Sequence, residues 1–358
     1  MSSLASITSK VLSGERLSND DALSLFESND LPAIGELAAW VNERSNGRRV
    51  FFNVNRHINY TNICVNRCRF CAFRRDPGEP GASLLCLEEM RTAATEALRQ
   101  GATEIHMVGG LHPDLPFDAY PEMLRAVKSV SSALHLKAFT AVEIDHFSRI
   151  SGLAVRDVLQ TLRDAGLDSL PGGGAEIFAE TVRAELCPDK ISGTRWLEIM
   201  EEAHRSGLHS NATMLYGHLE SPGDRIEHMA RLRELQDRTG GFQAFVPLPF
   251  QRENTGLALY PEKAAGGVDD LKTIAIARLF LDNFHHIKAY WVLLGEKIAQ
   301  VALTFGADDL DGTVVDERIG HEAGADSPRG MTRDDIVRLI RTAGREPVER
   351  DSLYREVR

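Results

Sequence analysis

The chain has 358 residues, 43% of them apolar and 26% charged, with a formal net charge of −11. A surplus of acid argues against broad nucleic-acid binding, which needs a basic surface to neutralise phosphates. The N-terminus lacks an apolar core of signal-peptide length, and no run approaches the roughly 18 apolar residues of a membrane helix, so no membrane partner and a cytoplasmic location are expected.

Residues 1–50 read as a helical preface: Ser18 caps a helix carrying Ala22, Leu25 and Phe26, and Leu31, Ile34, Leu37 and Val41 share one face of the next. From residue 51 short apolar runs alternate with amphipathic helices. Strands are expected at 58–65, 104–108, 136–142, 167–170, 209–216, 242–248 and 287–293. Helices are expected around Leu87 to Leu98, over 119–130, 155–165 and 196–204, from Ser221 through Leu235, and over 271–283. Residues 316–329 read as a loop and 332–342 as a helix. Such alternation predicts an α/β protein with a parallel sheet, and about seven strands favour a partly or fully closed (β/α) barrel. The expected organisation is a preface over 1–50, a barrel core over 51–300 and a C-terminal extension over 301–358 packed on the barrel.

Five cysteines are present, and Cys64, Cys68 and Cys71 fall in a C-x3-C-x2-C run behind the first expected strand. That places them at the strand's C-terminal end, the active face of a barrel. Three thiolates can ligate three irons of a [4Fe–4S] cube and leave the fourth open to a chelating ligand. Two other readings stay open: a structural zinc completed by His57, His106 or His112, and an electron-carrying cluster completed by Cys86 or Cys187.

The cysteine run, with Phe70 directly before its last cysteine, resembles the signature of the radical S-adenosylmethionine (SAM) superfamily. The resemblance implies a radical SAM-type barrel whose cofactors are a [4Fe–4S] cluster on Cys64, Cys68 and Cys71 and S-adenosylmethionine on the open iron. It implies that Phe70 packs near adenine and that Gly109-Gly110 contacts the methionine amino group. Asn59 to Phe73, Val108-Gly-Gly-Leu-His-Pro and Leu170-Pro-Gly-Gly-Gly-Ala-Glu resemble the branch of menaquinone-pathway and deazaflavin-cofactor enzymes. The C-terminal stretches Lys288-Ala-Tyr-Trp-Val-Leu-Leu-Gly and Gly306-Ala-Asp-Asp-Leu-Asp-Gly are similar to the aminofutalosine synthases. Cyclic dehypoxanthine futalosine synthases and the deazaflavin (FO) synthase subunit carry Gly-Ala-Asn-Asp followed by Gly-Gly or Gly-Ser, from which Asp308 and Asp311 depart.

That likeness implies SAM as a co-substrate. The 5′-deoxyadenosyl radical would add to 3-[(1-carboxyvinyl)oxy]benzoate, giving 6-amino-6-deoxyfutalosine with loss of a carboxylate. A reducing donor such as flavodoxin or ferredoxin is implied, and the basic cluster Arg67, Arg69, Arg74 and Arg75 reads either as a solvated loop edge or as a rim that attracts an anionic substrate or an acidic donor. Two substrate carboxylates need cations, drawn from Arg56, His57, Arg74, Lys137, Arg252 and Lys288, with Arg74 and Lys288 foremost. Glu143, expected at the end of a strand, either binds SAM or charges a helix start. Glu176 caps a helix or reaches the ligand, and His112 bonds ligand or steadies its loop. Gly172, Gly173 and Gly174 form a plain turn or a passage close to substrate. His285 and His286 are read as structural. One of Tyr290 and Trp291, expected in the last strand, faces inward.

Overall fold

The computed structural model describes residues 3–257 and 265–357. Three helices lead: α1 (Leu4–Ser13), α2 (Asn19–Glu27) and α3 (Leu31–Asn46). Ser18 and Asp21 close a capping box on α2, as the Ser-x-x-acid spacing requires, and Asp30 caps α3 ahead of a proline in its first turn. Then follow β1 (Arg49–Asn53), β2 (Asn55–Ile58), α4 (Leu87–Arg99), β3 (Glu104–Met107), α5 (Ala119–Lys128), β4 (His135–Ala138), α6 (Ala141–Ser151) and α7 (Val155–Asp164). The middle of the chain holds β5 (Ser169–Leu170), α8 (Glu180–Leu186), α9 (Gly193–Arg205), β6 (His209–Tyr216), α10 (Pro222–Thr239), β7 (Phe242–Pro249) and α11 (Gly267–Phe280). The last elements are β8 (His286–Ile287), α12 (Trp291–Ala302), β9 (Asp309–Gly312), α13 (Ile319–Glu322), α14 (Arg333–Thr342) and β10 (Glu346–Glu349).

Strands β2 to β8 form one seven-stranded sheet in sequence order, and every neighbouring pair is parallel. Residues 308–315 join its two edges. On one side the Asp308 N–H donates to the Ile287 carbonyl at 3.1 Å and the Ala289 N–H to the Asp309 carbonyl at 2.8 Å. On the other, the His57 N–H donates to the Val315 carbonyl at 2.8 Å. This segment belongs to the stretch expected to pack on the barrel, and its β9 also pairs with β1, which pairs with β10 in a small parallel sheet.

The joining segment twists through left-handed backbone at Asp311 (φ 69°) and Val314 (φ 45°), and again just beyond it at Asp316 (φ 63°). For β-branched Val314 that conformation is strained. Asn55 holds it: its side-chain oxygen accepts the Val314 N–H at 2.7 Å, and its carbonyl accepts the Thr313 hydroxyl at 2.7 Å. Beneath the cavity the interior is ionic. Lys137 pairs with Glu104 at 2.7 Å, Arg350 with Asp309 at 2.7 Å, Lys288 with Asp311, and Arg278 with Asp308. All eight are buried, and buried charges persist only when paired.

Three expected strands overrun. The strand expected over 58–65 was also placed too late, sharing only Ile58 with β2 (Asn55–Ile58): beyond Ile58, Asn59 and Asn62 spend their side-chain amides on the Val108 and Gly81 carbonyls and turn the chain. The one over 136–142 ends at Ala138, and Thr140 caps α6. Glu143 therefore lies in the first turn of a helix, not at a strand end. The last expected strand is only His286–Ile287, so Tyr290 caps α12 and Trp291 begins it.

Candidate active site

Every strand of the sheet sends its C-terminal end, or the loop beyond it, to one cavity of about 330 Å³. The period-two alternation of β6 puts Asn211, Thr213 and Leu215 on its wall, and β7 adds Val246 and Leu248. Behind β2 the chain runs into the loop of the three cysteines. The Cys64 N–H donates to the Arg75 carbonyl at 3.2 Å, Val65 to Leu111 at 3.0 Å and Arg69 to Leu186 at 2.9 Å, so the loop is tied to its own return, to the loop behind β3 and to the end of α8. Gly110 lets it close down: a Cβ there would lie 2.3 Å from the Ile63 carbonyl oxygen and 2.9 Å from the Cys64 Cβ.

Cys64, Cys68 and Cys71 all line the cavity, half-buried and free of disulfides. Burial pushes the Cys68 thiol up to about 12 and raises that of Cys71, so bare thiolates are disfavoured there. A cationic iron–sulfur core would supply the missing charge, and the donor set fits one. Among the described residues no three His, Cys, Asp or Glu side chains are placed to hold a single metal ion. The thiolates of a cube each take a different iron and need not converge on one point. Cys86 and Cys187 do not line the cavity, so no fourth thiolate faces it.

Phe70, Gly109, Gly110, Glu143 and Arg74 line the same cavity. Glu143 is wholly engaged with protein: one oxygen accepts from the Tyr60 hydroxyl at 2.7 Å and the Gly109 N–H at 3.1 Å, the other from the Thr140 N–H at 2.7 Å and hydroxyl at 2.8 Å. Arg74 donates to the Cys64 carbonyl at 3.2 Å and pairs with Asp76. Lys288 and His112 do not line the cavity. Lys288 is buried beneath it, where its partner Asp311 forms part of the floor, and His112 accepts the Asp114 N–H at 3.2 Å within its own loop. Of the other expected cations only His57 reaches the wall; Arg56 pairs with Asp316 and Lys137 with Glu104.

Lys190 was not anticipated from the sequence. It sits in an irregular loop behind α8, with its Nζ 2.5 Å from Glu176 and 5.0 Å from the centre of the Phe70 ring. Buried Arg183 steadies this corner by donating to the carbonyls of Ala175 at 2.6 Å, Ile177 at 3.1 Å and Ile191 at 2.5 Å.

Comparison with known proteins agrees with this arrangement. Residues 58–232 match the Radical SAM superfamily and residues 239–358 the CofH/MqnC C-terminal region. The aminodeoxyfutalosine synthase of Thermus thermophilus is 48% identical over 357 residues, covering 99% of this chain and 96% of that protein. The chain belongs to the radical SAM superfamily. This radical SAM enzyme uses a [4Fe–4S] cluster and S-adenosylmethionine. The Streptomyces coelicolor aminodeoxyfutalosine synthase is 46% identical over 98% of the chain and 92% of its own length. A 5-amino-6-(D-ribitylamino)uracil–L-tyrosine 4-hydroxyphenyl transferase of Methanopyrus kandleri is 45% identical over 87% of the chain and 85% of its own length. The fold is shared with the FeFe-hydrogenase maturase HydG of Carboxydothermus hydrogenoformans (TM-score 0.75, 18% identity, 98% of this chain and 80% of that one). It is also shared with methylornithine synthase (TM-score 0.75, 19% identity, 96% and 97%).

Proposed function

We propose that this radical SAM enzyme joins the 5′-deoxyadenosyl group to 3-[(1-carboxyvinyl)oxy]benzoate, forming 6-amino-6-deoxyfutalosine with loss of the vinyl-bound carboxylate, as a step of menaquinone biosynthesis. The observation that carries this reading is the near full-length identity to two aminodeoxyfutalosine synthases. In this reading Cys64, Cys68 and Cys71 hold the cluster, which when bound supplies the electron that cleaves the sulfonium of SAM. The Gly109 and Gly110 backbone lies against the methionine end, oriented by Glu143, and Phe70 packs near adenine. Val246 and Leu248 face the ligands with hydrocarbon and keep out water, which protects a carbon radical from stray hydrogen donors. A low-potential flavodoxin or ferredoxin would deliver the electron.

The test is anaerobic reconstitution, then reductant, SAM and the carboxyvinyloxy-benzoate, followed by mass analysis. A joined nucleoside is expected. Methionine and free 5′-deoxyadenosine alone would overturn the reading. Turnover of tyrosine with 5-amino-6-(D-ribitylamino)uracil would instead place the chain with the archaeal transferases.

A further inference from the structure

His57 on β2 and His106 on β3 occupy paired register positions, and their rings stack at 4.3 Å and 21°. Both line the cavity, inside the barrel rather than on the loops above it. Neither imidazole makes a hydrogen bond among the described residues; in buried His57 the Nε2 is fully covered without a partner, which leaves the Nδ1 as the nitrogen open to a ligand, and His106 is half-buried. Unspent polar groups this deep call for an explanation. The other charged residues around the cavity are spoken for: Glu143 by Tyr60 and Thr140, Glu176 by Lys190, Asp311 by Lys288, Glu317 by His321 at 3.0 Å, and Arg74 by Asp76.

We infer that His57 and His106 form the anchor for the ring carboxylate of the aromatic substrate, each donating one imidazole N–H to it. The inference rests on the proposed reaction, in which this carboxylate survives into the product. The substrate's double bond must meet the adenosyl carbon on the cysteine-loop side, so its meta carboxylate extends away from that loop, toward the strand-borne imidazoles. Burial keeps both rings below their ordinary pKa. Glu317, Asp311 and Glu104 favour the proton on His57 and Lys137 opposes it, so an arriving carboxylate draws a proton onto the pair.

The test uses the reconstituted holoenzyme and two unreactive probes, the saturated analogue 3-[(1-carboxyethyl)oxy]benzoate and its ring carboxamide, titrated by calorimetry. The wild type should bind the benzoate about 10- to 100-fold more tightly than the amide. It should also take up protons at pH 7.5, read from two buffers of different ionisation enthalpy. In His57→Gln and His106→Gln the preference should fall toward unity, with iron content and melting temperature kept and the turnover defect mainly in KM. A preference retained in both variants overturns the inference. If the variants fail to fold, a wild type with neither preference nor proton uptake overturns it as well. Production of the joined nucleoside by a wild type showing neither effect would sink the anchor alone, whereas the preference without that product would sink the proposed reaction alone.

Discussion

Glu143 shows how one carboxylate organises a corner of the site without being free for ligand. It ties the first turn of α6 to Tyr60 and to the Gly109 backbone. In Glu143→Gln, if the amide oxygen keeps Tyr60 and Gly109, the amide nitrogen confronts the Thr140 N–H and hydroxyl. A loss of about 1–3 kcal/mol is expected, read from urea unfolding; an unchanged midpoint would mean that the network does not hold this corner. Gly110→Ala should do something different. Its methyl would strike the Ile63 carbonyl and force the cysteine loop outward, so reconstituted protein should lose most of its iron with its far-UV circular dichroism intact. Full iron loading would refute that. Cysteines and glycines were legible because their signal is local in the chain. The His57–His106 stack was not, since it is made across two strands, and Lys190 was not, since an irregular loop has no period to read.

At the scale of elements, the helices were legible where an apolar stripe and a cap coincide, as in α2 and α14, and in α7 from the stripe alone. Strands at 136–142 and 287–293 were expected too long, and the one at 58–65 too late, because apolar residues continue past the last ladder bond to wall the cavity or start a helix. Strand β9 was missed for the opposite reason: Asp309 and Asp311 face ionic partners, so it carries no apolar alternation. Its pairing gives a prediction. Lys288→Met leaves Asp311 without its nearest cation in a buried setting and should cost about 3–5 kcal/mol. Adding Asp311→Leu should recover much of that loss in denaturant unfolding. A double variant as unstable as the single one would show that Asp311 has a second structural duty.

Over the whole molecule, stability should carry a pH signature from Asp270 of α11. Burial raises its carboxyl from an ordinary 3.8 to about 6, against the pull of the Tyr216 hydroxyl that donates to it at 2.8 Å. A carboxyl whose folded pKa exceeds its unfolded one favours folding below the lower value, and that contribution fades as pH climbs from about 4 through 6. Asp270→Asn should therefore gain stability over the wild type as pH rises, reaching about 1–3 kcal/mol at pH 8, while at pH 4 the two should nearly coincide. Melting curves across that range decide it, and a gap that does not widen with pH would contradict the assignment. The parallel sheet and a partly or fully closed barrel were legible as a class of architecture, but the segment that joins its edges was not, because it lies far along the chain from the first strand it meets.

That closure has a cost during synthesis. Until residue 315 emerges from the ribosome, the nascent sheet carries two rims of unanswered N–H and C=O groups, one along β2 and one along β8. Such rims recruit other chains. A polypeptide stalled before that point should therefore depend on chaperones far more than one released just beyond it.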